Sequence, residues 1–327
     1  MTFVARRLGF YAFTLWAAVT ANFAIPRLMP GNPLQAATER LGGQLTAAQT
    51  HQLSALYGLG ANRGLLGQYG SYLVQLLRGH LGVSIAYFPT SVGSVIASSL
   101  PWTVCLVGAA TLVSFAVGTS LGVLAGWRRG SWLDSLLPAT TVLSTVPYFW
   151  IGLLALSVFG VTLHWLPISG GAALGTSPSW SWSFVASALS HAVLPAGTIV
   201  LASVGGWLVA MRNMMVTTAH QDYMLLAEAK GLPERRRMVA YAARNAMLPN
   251  LANFAVSMGA VVGGSILTEV VFSYPGIGYV LFRAVAGQDY PLMQGIFLVI
   301  TLTVLTANFL ADLAYAMLDP RTRQERP

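Results

Sequence analysis

The feature that most restricts this chain is a recurrence of long apolar windows, at about Leu8 to Met29, Trp102 to Gly126, Leu136 to Gly160, Leu189 to Met211, Leu251 to Phe272 and Leu292 to Met317. A helix that crosses a bilayer needs roughly 20 mostly apolar residues, because the hydrocarbon core is about 30 Å thick and each residue rises about 1.5 Å. Each window meets that length. Only 9% of the 327 residues are charged and 55% are hydrophobic, whereas an average soluble domain is about a quarter charged. The expected fold is an all-α integral membrane protein with six transmembrane helices.

Basic residues orient such a topology. Arg6, Arg7, Arg128, Arg129, Arg212, Lys230, Arg235, Arg236, Arg237, Arg244, Arg321, Arg323 and Arg326 fall on one side; Arg27, Arg40, Arg63, Arg78 and Arg283 fall on the other. Because Lys and Arg are retained on the cytoplasmic face, both termini are expected in the cytoplasm. The first window follows Arg6 and Arg7, exceeds a signal-peptide core in length and lacks a clean small-residue cleavage site, so it reads as a retained helix. The expected organisation is a cytoplasmic N-terminus and first span at 1–29, an extracytoplasmic segment at 30–101, a core of spans two to six at 102–317 with a cytoplasmic loop at 213–248, and a cytoplasmic tail at 318–327.

The 30–101 segment is too polar and too interrupted by glycine to cross a membrane. Leu65, Leu66, Tyr69, Tyr72, Leu73, Leu76 and Leu77 recur at the three and four spacing of one helical face, and Thr46 is placed to cap a helix over Gln49 to Leu56. Two readings stay open: an amphipathic helix lying at the membrane interface, or a small extracytoplasmic cap. Within the spans, Pro138, Pro147, Pro195, Gly205, Gly206, Gly263 and Gly264 allow kinks or close helix approach.

Several functions are disfavoured. The net charge of +8 is scattered in short clusters rather than gathered on an aromatic-interleaved basic face, which argues against nucleic acid. Cys105 is the single cysteine, so an internal disulfide or a cysteine metal cage is excluded. No phosphate-cradling GxxxxGK loop followed by Ser or Thr is present, and His51, His80, His164, His191 and His220 lack metal-ligand spacing. Neither a catalytic nor a metal site is expected. A self-contained secondary carrier needs ionisable groups at mid-membrane; Glu269 and Asp312 are the main acids in the windows, both near expected helix ends.

The most distinctive element lies between the fourth and fifth windows, from Gln221 to Arg237. Ala227 to Lys230 favours helix, Gly231 suits a left-handed C-cap, and Pro233 needs no amide partner at the start of a second helix. The expectation is a short helix, a turn and a helix returning to the membrane, with Met224, Leu225, Ala227 and Leu232 packed on another protein. An ordinary positive-inside loop accounts for the arginines but not for the order of helix, glycine and proline.

The run Asp222-Tyr223, Ala227-Glu228-Ala229-Lys230-Gly231-Leu232, Glu234-Arg235-Arg236, Ala243-Arg244-Asn245-Ala246 and Leu248-Pro249 resembles the cytoplasmic loop of binding-protein-dependent ABC importer permeases. Arg6-Arg7-Leu8, Leu28-Met29-Pro30-Gly31-Asn32-Pro33, Thr268-Glu269, Phe272-Ser273-Tyr274-Pro275-Gly276-Ile277-Gly278, Asp289-Tyr290-Pro291 and Asp319-Pro320-Arg321 extend the likeness over the whole chain. They are similar to the first permease subunit of the dipeptide, oligopeptide and nickel family.

The resemblance implies a coupling helix seated on an ATPase through Asp222, Tyr223, Ala227, Glu228, Ala229, Lys230, Gly231, Leu232, Arg235 and Arg236. It also implies an outer gate or binding-protein contact near Glu269, Tyr274, Pro275, Gly276 and Asp289. The implied partners are a second homologous permease, two ATPase subunits that carry ATP and Mg, and an extracytoplasmic substrate-binding protein, all at a prokaryotic plasma membrane. The chain itself binds no cofactor on this reading. Leu225 stands where the broader importer family has Glu. Peptides are the substrate implied, with oligosaccharides or nickel chelates as the alternative within the same architecture; Trp165, Trp180 and Trp182 suit sugar stacking or interfacial anchoring alike.

Overall fold

The computed structural model describes residues 2–28, 64–135, 137–261 and 266–318. Their regular structure is helical apart from one isolated antiparallel bridge between Val83 and Ser91. The motif at Pro30 to Pro33, the expected helix at Gln49 to Leu56, Gly263, Gly264 and the Asp319-Pro320-Arg321 motif lie outside the described residues. Three described helices are long and apolar enough to cross a membrane: Val92–Trp127, Trp182–Ala219 and Tyr290–Phe309.

The described helices in chain order are α1 (Thr2–Leu28), α2 (Leu65–Leu77), α3 (Val92–Trp127), α4 (Trp132–Ser135), α5 (Leu137–Thr145), α6 (Tyr148–Ala155), α7 (Trp182–Ala219), α8 (Asp222–Ala229), α9 (Glu234–Arg236), α10 (Arg244–Ala260), α11 (Ile266–Val271), α12 (Ile277–Ala286) and α13 (Tyr290–Leu318). Wide π-helical turns continue α6 over Leu156–Thr162 and join α9 to α10 over Arg237–Ala243.

Several helices differ from the apolar windows for local reasons. The second begins ten residues early because Ser91 caps it, its hydroxyl accepting the Ser94 amide at 3.2 Å, and the helix then runs through Pro101. The fourth begins early as well: Ser181 accepts the Phe184 amide at 3.3 Å, and α7 continues past the apolar window to Ala219. The third window is broken between α5 and α6 at Pro147, whose missing amide cannot continue the hydrogen-bond ladder.

The chain divides into two compact units, one from Met1–Thr103 with Pro275–Phe309 and one from Val104–Tyr274 with Leu310–Pro327. In the first unit, α1 packs on α2 and α13. Phe23 is buried against the rings of Tyr69 and Tyr72, with centroids at 5.1 and 5.5 Å, and Asn22 donates to the Gln294 carbonyl at 2.7 Å. Thr103 accepts the Ile277 amide at 2.7 Å and so satisfies the first turn of α12.

In the second unit, α3 and α7 touch backbone to backbone. A Cβ at Gly118 would stand 2.6 Å from the Cβ of Trp207, one at Gly122 2.6 Å from the Leu208 carbonyl, and one at Gly126 2.6 Å from the Cβ of Met215. Three glycines spaced by four thus form a seam that only glycine fills, a packing mode suited to helices that gain little hydrophobic driving force in lipid. Phe115 reinforces the seam, stacked on Phe254 at 4.4 Å and edge-on to Trp207 at 5.2 Å.

Candidate functional site

The extension of α7 beyond its apolar window carries the segment that the sequence marks out. Asp222 opens α8 with its carboxylate in the first turn, where a negative charge opposes the positive helix end. The helix is only eight residues long, too short to persist in isolation. Packing holds it: Met224 and Ala227, three residues apart, are buried, and Met224 enters a cluster with Met211, Met215, Ala242, Ala243 and Ala246, bordered by Met214, Met238 and Met247.

Met224 and Ala227 therefore face their own chain and are not available to another protein, contrary to the expectation for them. The outward positions are Tyr223, Leu225 and Leu226; the two leucines are 64% and 56% exposed. Leu226 is absent from the sequence-derived site. Four consecutive apolar residues, Met224 to Ala227, carry no period that tells which side is buried; the Met211 and Met215 surface decides it.

The end of α8 is a complete left-handed cap. Gly231 has φ of 67°, its amide donates to the Glu228 carbonyl at 2.8 Å, and the Leu232 amide donates to the Ala227 carbonyl at 3.2 Å. This pair of bonds satisfies two of the carbonyls that a helix end leaves open. Nothing lies within 4 Å of where a Gly231 Cβ would be. Glycine is needed there for its backbone angle and not for room.

Two polar contacts tie the loop down. Arg237 pairs with Glu228 at 2.6 Å, and the Trp127 indole donates to the Glu234 carboxylate at 2.8 Å. Lys230, Arg235 and Arg236 remain exposed. Nearby, Arg212 pairs with Asp134 at 3.0 Å. The Gly130 amide, and after it the Arg212 guanidinium, hold the Asp134 carboxyl below its ordinary range. The assembly is thus an apolar patch on a short, anchored helix, rimmed by basic side chains, a surface suited to docking on another protein.

The other expected site divides between the two units. Glu269 and Tyr274 lie in the second, both buried, with the Tyr274 amide donating to the Glu269 carbonyl at 2.8 Å across a left-handed Ser273. Pro275, Gly276 and Asp289 lie in the first. Asp289 is fully buried, capping α13 through the Leu292 amide at 3.1 Å and accepting from the Ala86 amide at 2.8 Å and the Ser84 hydroxyl. Such burial closes Glu269, Tyr274 and Asp289 to direct contact with another protein. Burial pushes the Asp289 carboxyl upward, opposed by the hydrogen bonds from Ala86 and Ser84.

Comparison with known proteins shows the family. Residues 118–324 match the family described as binding-protein-dependent transport system inner membrane component. Over the full length of both chains the protein is 35% identical to the di/tripeptide transport system permease protein DppB of Pseudomonas aeruginosa, and 31% identical to the dipeptide transport system permease protein DppB of Escherichia coli. It is 30% identical to the oligopeptide transport system permease protein AppB of Bacillus subtilis, covering 92% of each chain. Three long apolar helices among the described residues, the match over residues 118–324 and likeness along the whole length lead to one conclusion: the chain belongs to the binding-protein-dependent transport system inner membrane component family.

Proposed function

We propose that this chain is one of two membrane-spanning subunits of an ATP-driven importer of di- or oligopeptides. In this reading it crosses the membrane six times with both termini in the cytoplasm, and forms half of the translocation path. A second permease subunit supplies the other half, and an extracytoplasmic binding protein delivers the peptide. Two ATPase subunits bind and hydrolyse the nucleotide; this chain contributes no catalytic group.

The observation that carries the coupling role is the outward face of α8. Tyr223, Leu225 and Leu226 are exposed on a helix that is itself held to α7 by Met224, packed with Met211 and Met215, and to the π-helical turn at Arg237–Ala243 by the Glu228 to Arg237 pair. An apolar patch on a rigid knob transmits a push only if something seats on it, and the basic rim of Lys230, Arg235 and Arg236 suits an acidic border on the ATPase. The buried Glu269 and Asp289 act here as stiffeners of the outer turns rather than as contacts. Peptide is preferred over oligosaccharide or nickel chelate because the similar permeases above are named for di-, tri- and oligopeptides.

The test is ATPase activity of the reconstituted complex with its binding protein, challenged with dipeptides, longer peptides, oligosaccharides and nickel chelates. Stimulation by peptides alone is the expected result. Stimulation by sugars alone would overturn the substrate and leave the architecture intact.

A further inference from the structure

The first unit holds a feature that neither the proposed coupling nor the family likeness uses. α2 turns Gln68, Tyr69, Ser71 and Tyr72 inward, while Leu66, Val74 and Leu77 face away from the described residues; Leu66 is 87% and Leu77 88% exposed. An apolar stripe that open on a membrane protein belongs in the bilayer interface.

Behind the helix lies a cleft whose polar lining includes Arg27, Gln68, Ser71, Gln75, His80 and Gln294, with no carboxylate among its lining residues. Arg27 stacks on the Phe23 ring, donates from Nη1 to the Phe23 carbonyl at 2.9 Å, and directs Nε to Gln68 at 3.4 Å. Among the described residues no carboxylate pairs with it. The Gln294 side-chain nitrogen is buried and lacks an acceptor among the described residues. A cation with no counter-charge among the described residues and an amide donor with no acceptor among them border one cleft, and both suit an anion.

We propose that this cleft holds the phosphate of an anionic phospholipid whose acyl chains run along the Leu66, Val74 and Leu77 stripe. One molecule then answers both observations: the headgroup supplies a counter-charge to Arg27 and an acceptor to the Gln294 amide, and the tails cover the leucines. Basic pockets between membrane helices take lipid headgroups by the same chemistry. A free phosphate or a peptide carboxylate satisfies Arg27 but leaves the apolar stripe bare.

The experiment uses the intact complex, purified and delipidated, and titrated with dioleoylphosphatidylglycerol or dioleoylphosphatidylcholine while bound lipids are counted by native mass spectrometry and unfolding is followed thermally. Phosphatidylglycerol should bind and raise the unfolding temperature, phosphatidylcholine much less. Arg27→Gln and Gln294→Leu should each weaken phosphatidylglycerol binding, the first by about tenfold or more, whereas Arg78→Gln, outside the cleft, should not. Because Arg27→Gln removes internal bonds as well, Gln75→Glu provides a second arm: it keeps Arg27, adds a negative charge at the exposed rim, and should repel the phosphate. Equal binding of the two lipids, or phosphatidylglycerol binding indifferent to Gln75→Glu and Gln294→Leu, overturns the proposal. So does protection by inorganic phosphate or a dipeptide, but not by phosphatidylglycerol, that is lost in Arg27→Gln.

Discussion

Two turns in this molecule share one backbone geometry and put it to opposite uses. At Gly231 and at Gln288 a left-handed residue ends a helix with the same two bonds, from Gly231 to Glu228 and Leu232 to Ala227 in one, and from Gln288 to Val285 and Asp289 to Ala284 in the other. The first turn is open, with no neighbour near the glycine and Leu225 and Leu226 displayed beside it. The second leads directly into Asp289, a buried carboxylate bonded to Ser84, Ala86 and Leu292. The motif ends a helix in either setting; what surrounds it decides whether it presents a surface or locks one.

The sharpest way to break the comparison is to remove the lock. Asp289→Ala strips a buried acceptor from two amides and a hydroxyl, and buried donors left unpaired cost about 1–3 kcal/mol each in the worst case. With loss of the α13 cap included, we expect destabilisation of roughly 3 kcal/mol, seen as a large fall in thermal unfolding temperature in detergent. An unchanged temperature would show that the carboxylate does not hold the turn.

The next effect is smaller and falls on the open turn. Gly231→Val places a β-branched residue at φ of 67°, which costs about 1–2 kcal/mol. The Cβ meets no atom, so the cost is conformational only, and the spans should stay folded. Peptide-stimulated ATPase activity should drop more than stability does. If Gly231→Ala behaves like wild type in both assays, the left-handed cap is not what positions α8.

How much of this was legible beforehand depends on whether the informative neighbours are close in sequence. The Gly231 cap was readable because helix former, glycine and proline stand within a few residues of one another. The glycine seam at Gly118, Gly122 and Gly126 was equally local, a four-residue spacing inside one window, but it passes for ordinary membrane composition until Val204 to Met215 are seen against it. Asp289 was recognisable as an acid at the edge of a span, yet its partners Ser84 and Ala86 lie some two hundred positions away, and no spacing rule reaches them. The inward face of α8 was hidden for a third reason: Met224, Leu225, Leu226 and Ala227 are all apolar, so tertiary packing alone selects the pair that is buried.

Gln288→Gly sharpens the comparison from the other side. Gln288 holds φ of 52° without being glycine. Replacement relieves about 1 kcal/mol or more of left-handed strain and adds roughly 0.5–1 kcal/mol of lost chain entropy. The expected net change is a slight stabilisation, roughly 0.5 kcal/mol, with transport unaffected; a fall in stability would mean that the Gln288 side chain itself braces the turn.

The smallest change in stability belongs to the surface that the open turn displays. Leu225→Ser and Leu226→Ser remove side chains that already face away from the chain's own packing, so each should alter unfolding by no more than about 0.5 kcal/mol. If these leucines seat on an ATPase, the double variant should nonetheless lose copurification with it and most peptide-stimulated hydrolysis, because truncating buried anchors at an interface centre typically costs about 1 kcal/mol or more apiece. Met224→Ser supplies the contrast. It opens the Met211 and Met215 cluster and should lower the unfolding temperature before any partner is present. Were the two outward variants to lose stability as Met224→Ser does and keep their hold on the ATPase, the inward and outward faces assigned to α8 would have to be exchanged.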